Sequence, residues 1–228
     1  MFKKIFAIWK REGLLKQALE CTERMFVLVS KNFDIATEEL IENLDIKRAK
    51  IYSTDQKINI YEQEVRRKVL EHLTINPKQD LSSSLILITV VKDLERIGDY
   101  VKNIIELSHH YPKKLPVNDY SKELIAIRSK LGQILKDSLN VFKNADVTKA
   151  KEYYEYYREV TERTDSMIIH LLEENKLNTR EAIVYTLFAR YLKRIAAHLA
   201  NVLTTVINPF HLVGYKFENN QITEEIEG

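Results

Sequence analysis

The sequence has few of the residues that turn or cross-link a chain: among 228 residues there are five glycines, four prolines and one cysteine. Strands need frequent tight turns, which consume glycine and proline, so this shortage favours long helices with few connections. The single cysteine, Cys21, excludes an intrachain disulfide and a cysteine-rich metal knuckle. Because disulfides are absent from reducing compartments, we expect a cytoplasmic protein.

The chain also lacks a strong charge of either sign. It carries 35 Lys and Arg against 33 Asp and Glu, for a formal net charge of +2. Proteins that bind nucleic acid normally present a strongly basic face. The near balance of charges therefore argues against a nucleic-acid partner.

Long apolar runs are absent as well. The apolar stretch 5–9 is too short for a secretory signal, and two basic residues follow it at once. The segment 195–215 has no formal charge, but it contains His198 and Pro209, which a membrane-spanning helix tolerates poorly. We therefore expect no membrane span and a buried helix that ends near Asn208.

Apolar residues recur at three- and four-residue steps along most of the chain, which predicts helices. Asp45, Asp146 and Asn178 are placed to cap the second, fifth and sixth helices. Pro77 predicts a break, and the segment 109–121, with two prolines, predicts a linker. The six predicted helices span about 13–43, 45–73, 78–109, 120–144, 147–175 and 179–208.

The chain contains an internal repeat. A shift of 98 residues lays "DLERIGDYVKNII" (93–105) on "YLKRIAAHLANVL" (191–203), with identities at one leucine, one arginine, one isoleucine and one asparagine. Short connections imply antiparallel neighbours. We predict an all-α fold of two repeated antiparallel three-helix bundles. The predicted parts are a first repeat at 1–111, a linker at 112–119, a second repeat at 120–210 and a C-terminal tail at 211–228.

The stretch "KDLERIGDYVKN" (92–103) sets Glu95 and Asp99 one helical turn apart. Two like charges at this spacing repel each other by roughly 0.2–0.5 kcal/mol. A helical wheel places both on the outer face, with Gly98 in the opposite apolar stripe. Lys92 and Lys102 offset the repulsion, so this helix alone is typical of a solvated charged face. The apolar stripe comprises Leu87, Val90, Val91, Leu94, Ile97, Val101, Ile104 and Ile105.

A second acidic face lies on the preceding helix. Asp55, Asn59 and Glu62 share one side of it at spacings of four and three. Neighbouring helices of one bundle would bring these oxygens beside Glu95 and Asp99. Such oxygen-rich sites suit hard or borderline cations, so a metal site competes with the solvated-face interpretation.

The strings "DQKINIYEQEV" (55–65) and "NPKQDLSSSLILITVVKDLERIGDYVKNI" (76–104) resemble the phosphate-uptake regulator family PhoU and its shorter relatives, over about residues 12–210. This resemblance implies two three-helix repeats. It also implies paired Glu/Asp-x-x-x-Asp motifs that hold surface metal clusters, of iron or zinc in some members. By position, the implied ligands in the first repeat are Asp55, Asn59, Glu62, Glu95 and Asp99.

The match is incomplete at the acidic positions. Asn59 stands where the family usually has Asp, and in the second repeat Lys193, Ala197 and Thr161 replace acids, which leaves Asp165. A lysine in place of a carboxylate repels cations. The resemblance therefore implies at most one metal cluster per chain, in the first repeat.

The resemblance further implies a regulator of phosphate homeostasis rather than an enzyme. Members of the family repress the phosphate-starvation response and restrain phosphate import, acting through a sensor kinase or a transporter. The short relatives look like partners of sodium- or proton-coupled phosphate transporters. A homodimer is expected from the family. A line of mostly small residues on the last helix would permit close helix–helix contact, either between subunits or inside one chain: Lys193, Ala197, Ala200 and Thr204.

The N-terminal stretch "MFKKIFAIWKR" is amphipathic as a helix, with Phe2, Phe6 and Trp9 on its apolar side. It could contact a transporter at the membrane surface. Packing on the bundle or on a second subunit explains the same pattern equally well.

Two other functions have partial support in the sequence. A ferritin-like di-iron enzyme needs two Glu-x-x-His motifs on facing helices, and the chain has one, Glu106 to His109. That template therefore fails. A metal-free helical adaptor of the same fold is favoured by the losses at Asn59, Lys193 and Ala197, and it stays open beside the metal-binding form.

Overall fold

The computed structural model describes residues 3, 5, 13–46, 48–75 and 80–216. These residues form six long α-helices and, among the described positions, no strand. The predicted helices are confirmed in number and order, and every end agrees to within three residues. The helices are α1 Leu14–Glu42, α2 Arg48–Ile75, α3 Leu81–His110, α4 Asp119–Asn144, α5 Val147–Glu173 and α6 Thr179–Ile207, followed by a 3₁₀ turn at Phe210–Leu212.

Side chains cap several helices at the predicted places. Asp146 accepts a hydrogen bond from the Lys149 backbone N–H, and Asn178 accepts one from that of Glu181. The predicted cap Asp45 is wrong. Its φ is +59°, in the left-handed region, whereas a residue that caps a helix N-terminus normally has extended backbone.

The turn between α1 and α2 is instead organised by Glu39. Its Oε2 accepts hydrogen bonds from the backbone N–H groups of Leu44 (2.9 Å) and Ile46 (3.0 Å). The carboxylate thereby holds the turn that follows α1, and α2 begins beyond this turn, at Arg48.

Each helix of a trio packs on the other two: α1, α2 and α3 form one group, and α4, α5 and α6 form the other. The two groups meet mainly where α3 packs on α6 and α1 packs on α4. Buried apolar side chains from all six helices form one continuous cluster. The two repeats therefore share a single core.

The α3–α6 interface has an approximate two-fold symmetry. Asp93 contacts His198 (Oδ1 to Nδ1, 2.8 Å), and Tyr100 contacts Tyr191 (ring centroids 6.2 Å apart). The repeat shift of 98 residues carries positions 93 and 100 onto 191 and 198, so it exchanges these two contacts. Such reciprocity is the property of an isologous interface.

The connection between α3 and α4 is packed against both repeats. Tyr111 and Leu115 are buried, and the Leu115 N–H donates to the Ile41 carbonyl at 3.0 Å. At its end, Asn118 Nδ2 donates to the Tyr185 hydroxyl at 2.9 Å. The segment thus anchors the first repeat to the second.

Across the described positions, no helix combines the length and the apolar character needed to cross a bilayer. The helix predicted to end near Asn208 ends at Ile207.

Candidate functional site

The apolar stripe of α3 is buried as predicted, and every one of its eight side chains is 0% exposed. The acids on the other side are not on an open outer face. The side chains of Glu95 and Asp99 are 15% and 30% exposed, because α2 lies alongside. On α2, Asp55 and Glu62 are 10% exposed each. The predicted outer-face position of Glu95 and Asp99 is therefore wrong: they lie in a groove between two helices.

We call this feature the acid groove: Asp55, Asn59 and Glu62 on α2, with Lys92, Glu95, Asp99 and Lys102 on α3. The helices run antiparallel, so Asp55 lies beside Asp99 and Glu62 lies beside Glu95. Asn59 is half-buried between them along α2.

Lys102 joins the first pair of acids. Its ammonium donates to Asp55 Oδ2 and to Asp99 Oδ1, both at 3.1 Å. Burial by itself would lower the pKa of Lys102, but the hydrogen bonds to Asp55 and Asp99 outweigh burial and raise the pKa above its ordinary value. The ammonium therefore stays charged across the physiological range.

Lys92 joins the second pair of acids. Its Nζ is 3.0 Å from Glu95 Oε2 and 3.8 Å from Glu62 Oε1. Arg66 also reaches Glu62 Oε1, at 2.6 Å. Burial raises the pKa of Glu62 above its ordinary value; Arg66 opposes this shift and the charge of Glu95 adds to it.

Arg96 covers the groove from the solvent side. It is 3.2 Å from Asp99 Oδ2 and 3.7 Å from Glu95 Oε2, and its side chain is 48% exposed. Gly98 lies deeper, where a Cβ atom would meet Ile58 Cδ1 at 3.5 Å. That is an ordinary van der Waals distance, so the groove does not depend on a missing side chain there.

A metal centre needs several oxygen or nitrogen ligands that converge on one point. In residues 3, 5, 13–46, 48–75 and 80–216, no group of three or more His, Cys, Asp or Glu side chains is arranged to hold a metal ion. The acid groove instead has a lysine ammonium between the members of each carboxylate pair. The observed side-chain arrangement fits these ammonium groups and does not fit a metal cluster.

The second repeat shows a related arrangement at the matching place. Lys193 Nζ lies 2.6 and 2.7 Å from the two oxygens of Asp165. The Thr161 hydroxyl donates to the Tyr157 carbonyl in its own helix. One exposed ion pair therefore occupies the position that an acidic cluster would need.

Sequence reasoning missed a buried polar cluster at the α3–α6 interface. Asp93 is 8% exposed and accepts hydrogen bonds from His198 Nδ1 (2.8 Å) and Asn201 Nδ2 (3.1 Å). The Tyr100 ring stacks on His198, with centroids 5.8 Å apart. One feature of the sequence could have indicated this cluster: Asp93 lies three residues after Val90, on the same side of α3 as the buried apolar stripe.

The predicted contact residues Phe2, Phe6 and Trp9 lie outside the described residues. Nearby, Ile5 is buried at 8% exposed, and it lines a cavity of about 680 Å³ together with residues at the C-terminal end of α6. Part of this N-terminal region is thus in contact with the bundle.

Comparison with known proteins gives matches over both repeats. The model of the PhoU domain matches residues 22–108 and 126–206. A phosphate-specific transport system accessory protein PhoU homolog of Thermotoga maritima is 26% identical over 191 residues, covering 81% of this chain and 82% of that protein. The corresponding homolog of Clostridium acetobutylicum is 24% identical over 183 residues, covering 74% and 80%.

A solved structure shares the fold. The crystal structure of PhoU from Pseudomonas aeruginosa superposes with a TM-score of 0.76 at 20% identity, covering 85% of this chain and 95% of that one. The two matched segments of the domain model correspond to the trios α1–α3 and α4–α6.

Proposed function

Since the chain belongs to the PhoU family, we propose that it regulates phosphate uptake as an accessory protein of a phosphate transport system. The observation that carries the proposal is the match of the family model to both three-helix repeats. The two relatives described above are named as accessory proteins of phosphate-specific transport. The protein would act in the cytoplasm as a regulator without enzymatic activity, by contact with a phosphate transporter or a phosphate-responsive sensor kinase.

Deletion of the gene in its own host tests this role. We expect radiolabelled phosphate uptake and expression of phosphate-starvation genes to rise in phosphate-rich medium, and re-expression of the chain to reverse both. A matched control is the variant Leu94→Asp, which buries a charge in the shared core and should not restore regulation. Unchanged uptake and unchanged starvation-gene expression after deletion would overturn the proposal.

The metal-binding form of the proposal assigns an iron or zinc centre to the first repeat, with Asp55, Asn59, Glu62, Glu95 and Asp99 as ligands. When bound, such a centre would cross-link α2 to α3. It requires both groove lysines to leave their present positions, which are 3.0–3.8 Å from the carboxylates. In this form, purified protein carries stoichiometric metal, and the variant Glu95→Gln/Asp99→Asn loses it.

The second candidate is a metal-free helical adaptor of the same fold. The contacts of Lys92 and Lys102 with all four groove carboxylates favour it. In this form, elemental analysis finds no stoichiometric metal in either the wild-type protein or the Glu95→Gln/Asp99→Asn variant. Both proteins keep the helical circular dichroism spectrum.

The proposal includes a homodimer and a peripheral contact with the transporter through Phe2, Phe6 and Trp9. Ala200 and Thr204, part of the small-residue line on α6, are buried within the chain, so the dimer argument rests on the family. Light scattering on the purified chain measures the dimer. Pull-down with residues 1–11 deleted tests the N-terminal contact, and undiminished binding would reject it.

A further inference from the structure

We propose that Lys92 and Lys102 are tethered counter-ions that hold α2 against α3 in place of metal ions, so that the first repeat needs no bound metal. The proposal selects the metal-free form of the function above, but it concerns the acid groove alone. It would stand whether or not the chain regulates phosphate uptake.

The first argument is geometric. Each ammonium contacts one acid on each helix: Lys102 contacts Asp55 on α2 and Asp99 on α3, at 3.1 Å each. Lys92 is 3.8 Å from Glu62 on α2 and 3.0 Å from Glu95 on α3. A cation between two carboxylates from different helices is the arrangement that a bridging metal ion would otherwise provide. Here the cation is covalently attached to α3.

The second argument is the charge balance. The acid groove contains four carboxylates, and within the described part of the chain four cationic side chains lie within 4 Å of them. The groove is therefore neutral without any added ion. A divalent cation placed among the acids would lie beside two ammonium groups, and this like-charge repulsion in a half-buried site opposes its binding. The four cations are Arg66, Lys92, Arg96 and Lys102.

The third argument is that the second repeat uses the same chemistry. Lys193 on α6 holds Asp165 on α5 through both carboxylate oxygens, at 2.6 and 2.7 Å. The lysine comes from the third helix of its trio, as Lys92 and Lys102 do. In both repeats, an ammonium group from the third helix thus joins it to an acid on the second helix.

The test replaces the lysines by methionine, which keeps most of the aliphatic stem but removes the charge. In the double variant Lys92→Met/Lys102→Met, two carboxylate pairs face each other without a cation between them. In EDTA, we expect its melting temperature to fall by about 2–8 °C relative to wild type. Added Zn²⁺ should then raise that temperature and bind to the double variant in calorimetry. The wild-type protein should respond to Zn²⁺ in neither measurement.

Two controls separate this role from a purely structural one. Lys193→Met makes the same chemical change but frees only one carboxylate, so Zn²⁺ should not restore its stability. Adding Glu95→Gln/Asp99→Asn to the double variant should abolish the gain of Zn²⁺ binding, because each carboxylate pair then loses one member. Rescue by Zn²⁺ that is absent from Lys193→Met is the signature of a cation site.

Two results would overturn the proposal. One is stoichiometric metal in the wild-type protein that is lost on Asp99→Asn, and this measurement does not depend on whether the lysine variants fold. The other is a folded double variant whose melting temperature is unchanged in EDTA or which gains no Zn²⁺ binding. A deletion strain with normal phosphate uptake would reject the regulatory role. It would not change the metal content of the protein or the behaviour of the double lysine variant, so the two proposals can fail separately.

Discussion

The buried contact between Asp93 and His198 lends itself to a quantitative test, because it joins the two repeats at their interface. The side chains are 11% and 13% exposed, so water replaces a lost partner only poorly. His198→Ala would leave the Asp93 carboxylate with the Asn201 amide alone. Asp93→Ala would remove the acceptor of Nδ1, in a ring whose Nε2 has no partner among the described residues.

The expected magnitude follows from these partners. Each single variant should cost about 1–3 kcal/mol of unfolding free energy, because a buried polar group loses its hydrogen bond. Since both variants remove the same interaction, the double variant Asp93→Ala/His198→Ala should cost less than the sum of the single costs. The coupling should be about 1–3 kcal/mol. For a chain of this size, each kcal/mol corresponds to roughly 2–4 °C in melting temperature.

Urea unfolding followed by far-ultraviolet circular dichroism measures the cycle. One cooperative transition is expected, because the repeats share one core. Lys193→Ala and Asp165→Ala form the matched control cycle: that pair also crosses two helices, but Asp165 is 51% exposed. Its coupling should stay below about 1 kcal/mol. A coupling between Asp93 and His198 below about 0.3 kcal/mol, the range in which independent sites add, would refute the reasoning.

Four further predictions concern single positions. Gly98→Ala should stabilise the chain by up to about 1 kcal/mol in urea unfolding, because alanine is the better helix former; the new Cβ has an ordinary contact at 3.5 Å. Gly132→Ala should gain less, since its Cβ would lie 3.2 Å from Phe33; an equal gain would contradict this. Asn118→Ala should cost about 1 kcal/mol or more, because it removes a capping box at the start of α4, whereas full retention of stability would argue against that cap. Burial raises the pKa of Tyr156 to about 12, although Arg163 opposes the shift. The Tyr156 phenol therefore ionises at a higher pH in the folded chain than in the unfolded chain. Stability should therefore fall as pH rises from about 10 to 12, and Tyr156→Phe should weaken that dependence in unfolding measured across this pH range; an identical pH profile would contradict the assignment.

Much of the fold could be predicted because it depends on local patterns. The period of the apolar residues predicted all six helices, and the stripe on α3 is buried at every predicted position. Asp146 and Asn178 cap their helices as predicted, because a cap is formed within about three residues of the chain. Asp45 is not a cap, because α2 begins only at Arg48 and Asp45 lies in the preceding turn, which the Glu39 carboxylate holds.

The candidate site could be predicted only in part. The spacing of Glu95 and Asp99 indicated a shared face, and the acidic face of the preceding helix indicated that its oxygens would lie beside them, as they do. The helical wheel could not show how far α2 covers that face. The sequence indicates Lys92 and Lys102 only as neighbours that offset repulsion within α3. In the structure they also reach acids on α2, which no pattern within α3 could reveal.

By itself, the sequence determined the helices, their order in two repeats and the set of acidic and basic side chains available to the groove, because these follow from periodicity and composition along a single chain. The tertiary structure decided which of these charges meet. Contacts such as Lys102 with Asp55 and Asp93 with His198 join residues 47 and 105 positions apart. Their partners are set by how helices pack side by side, so only the packed bundle distinguishes an open acidic face from a groove that its own lysines neutralise.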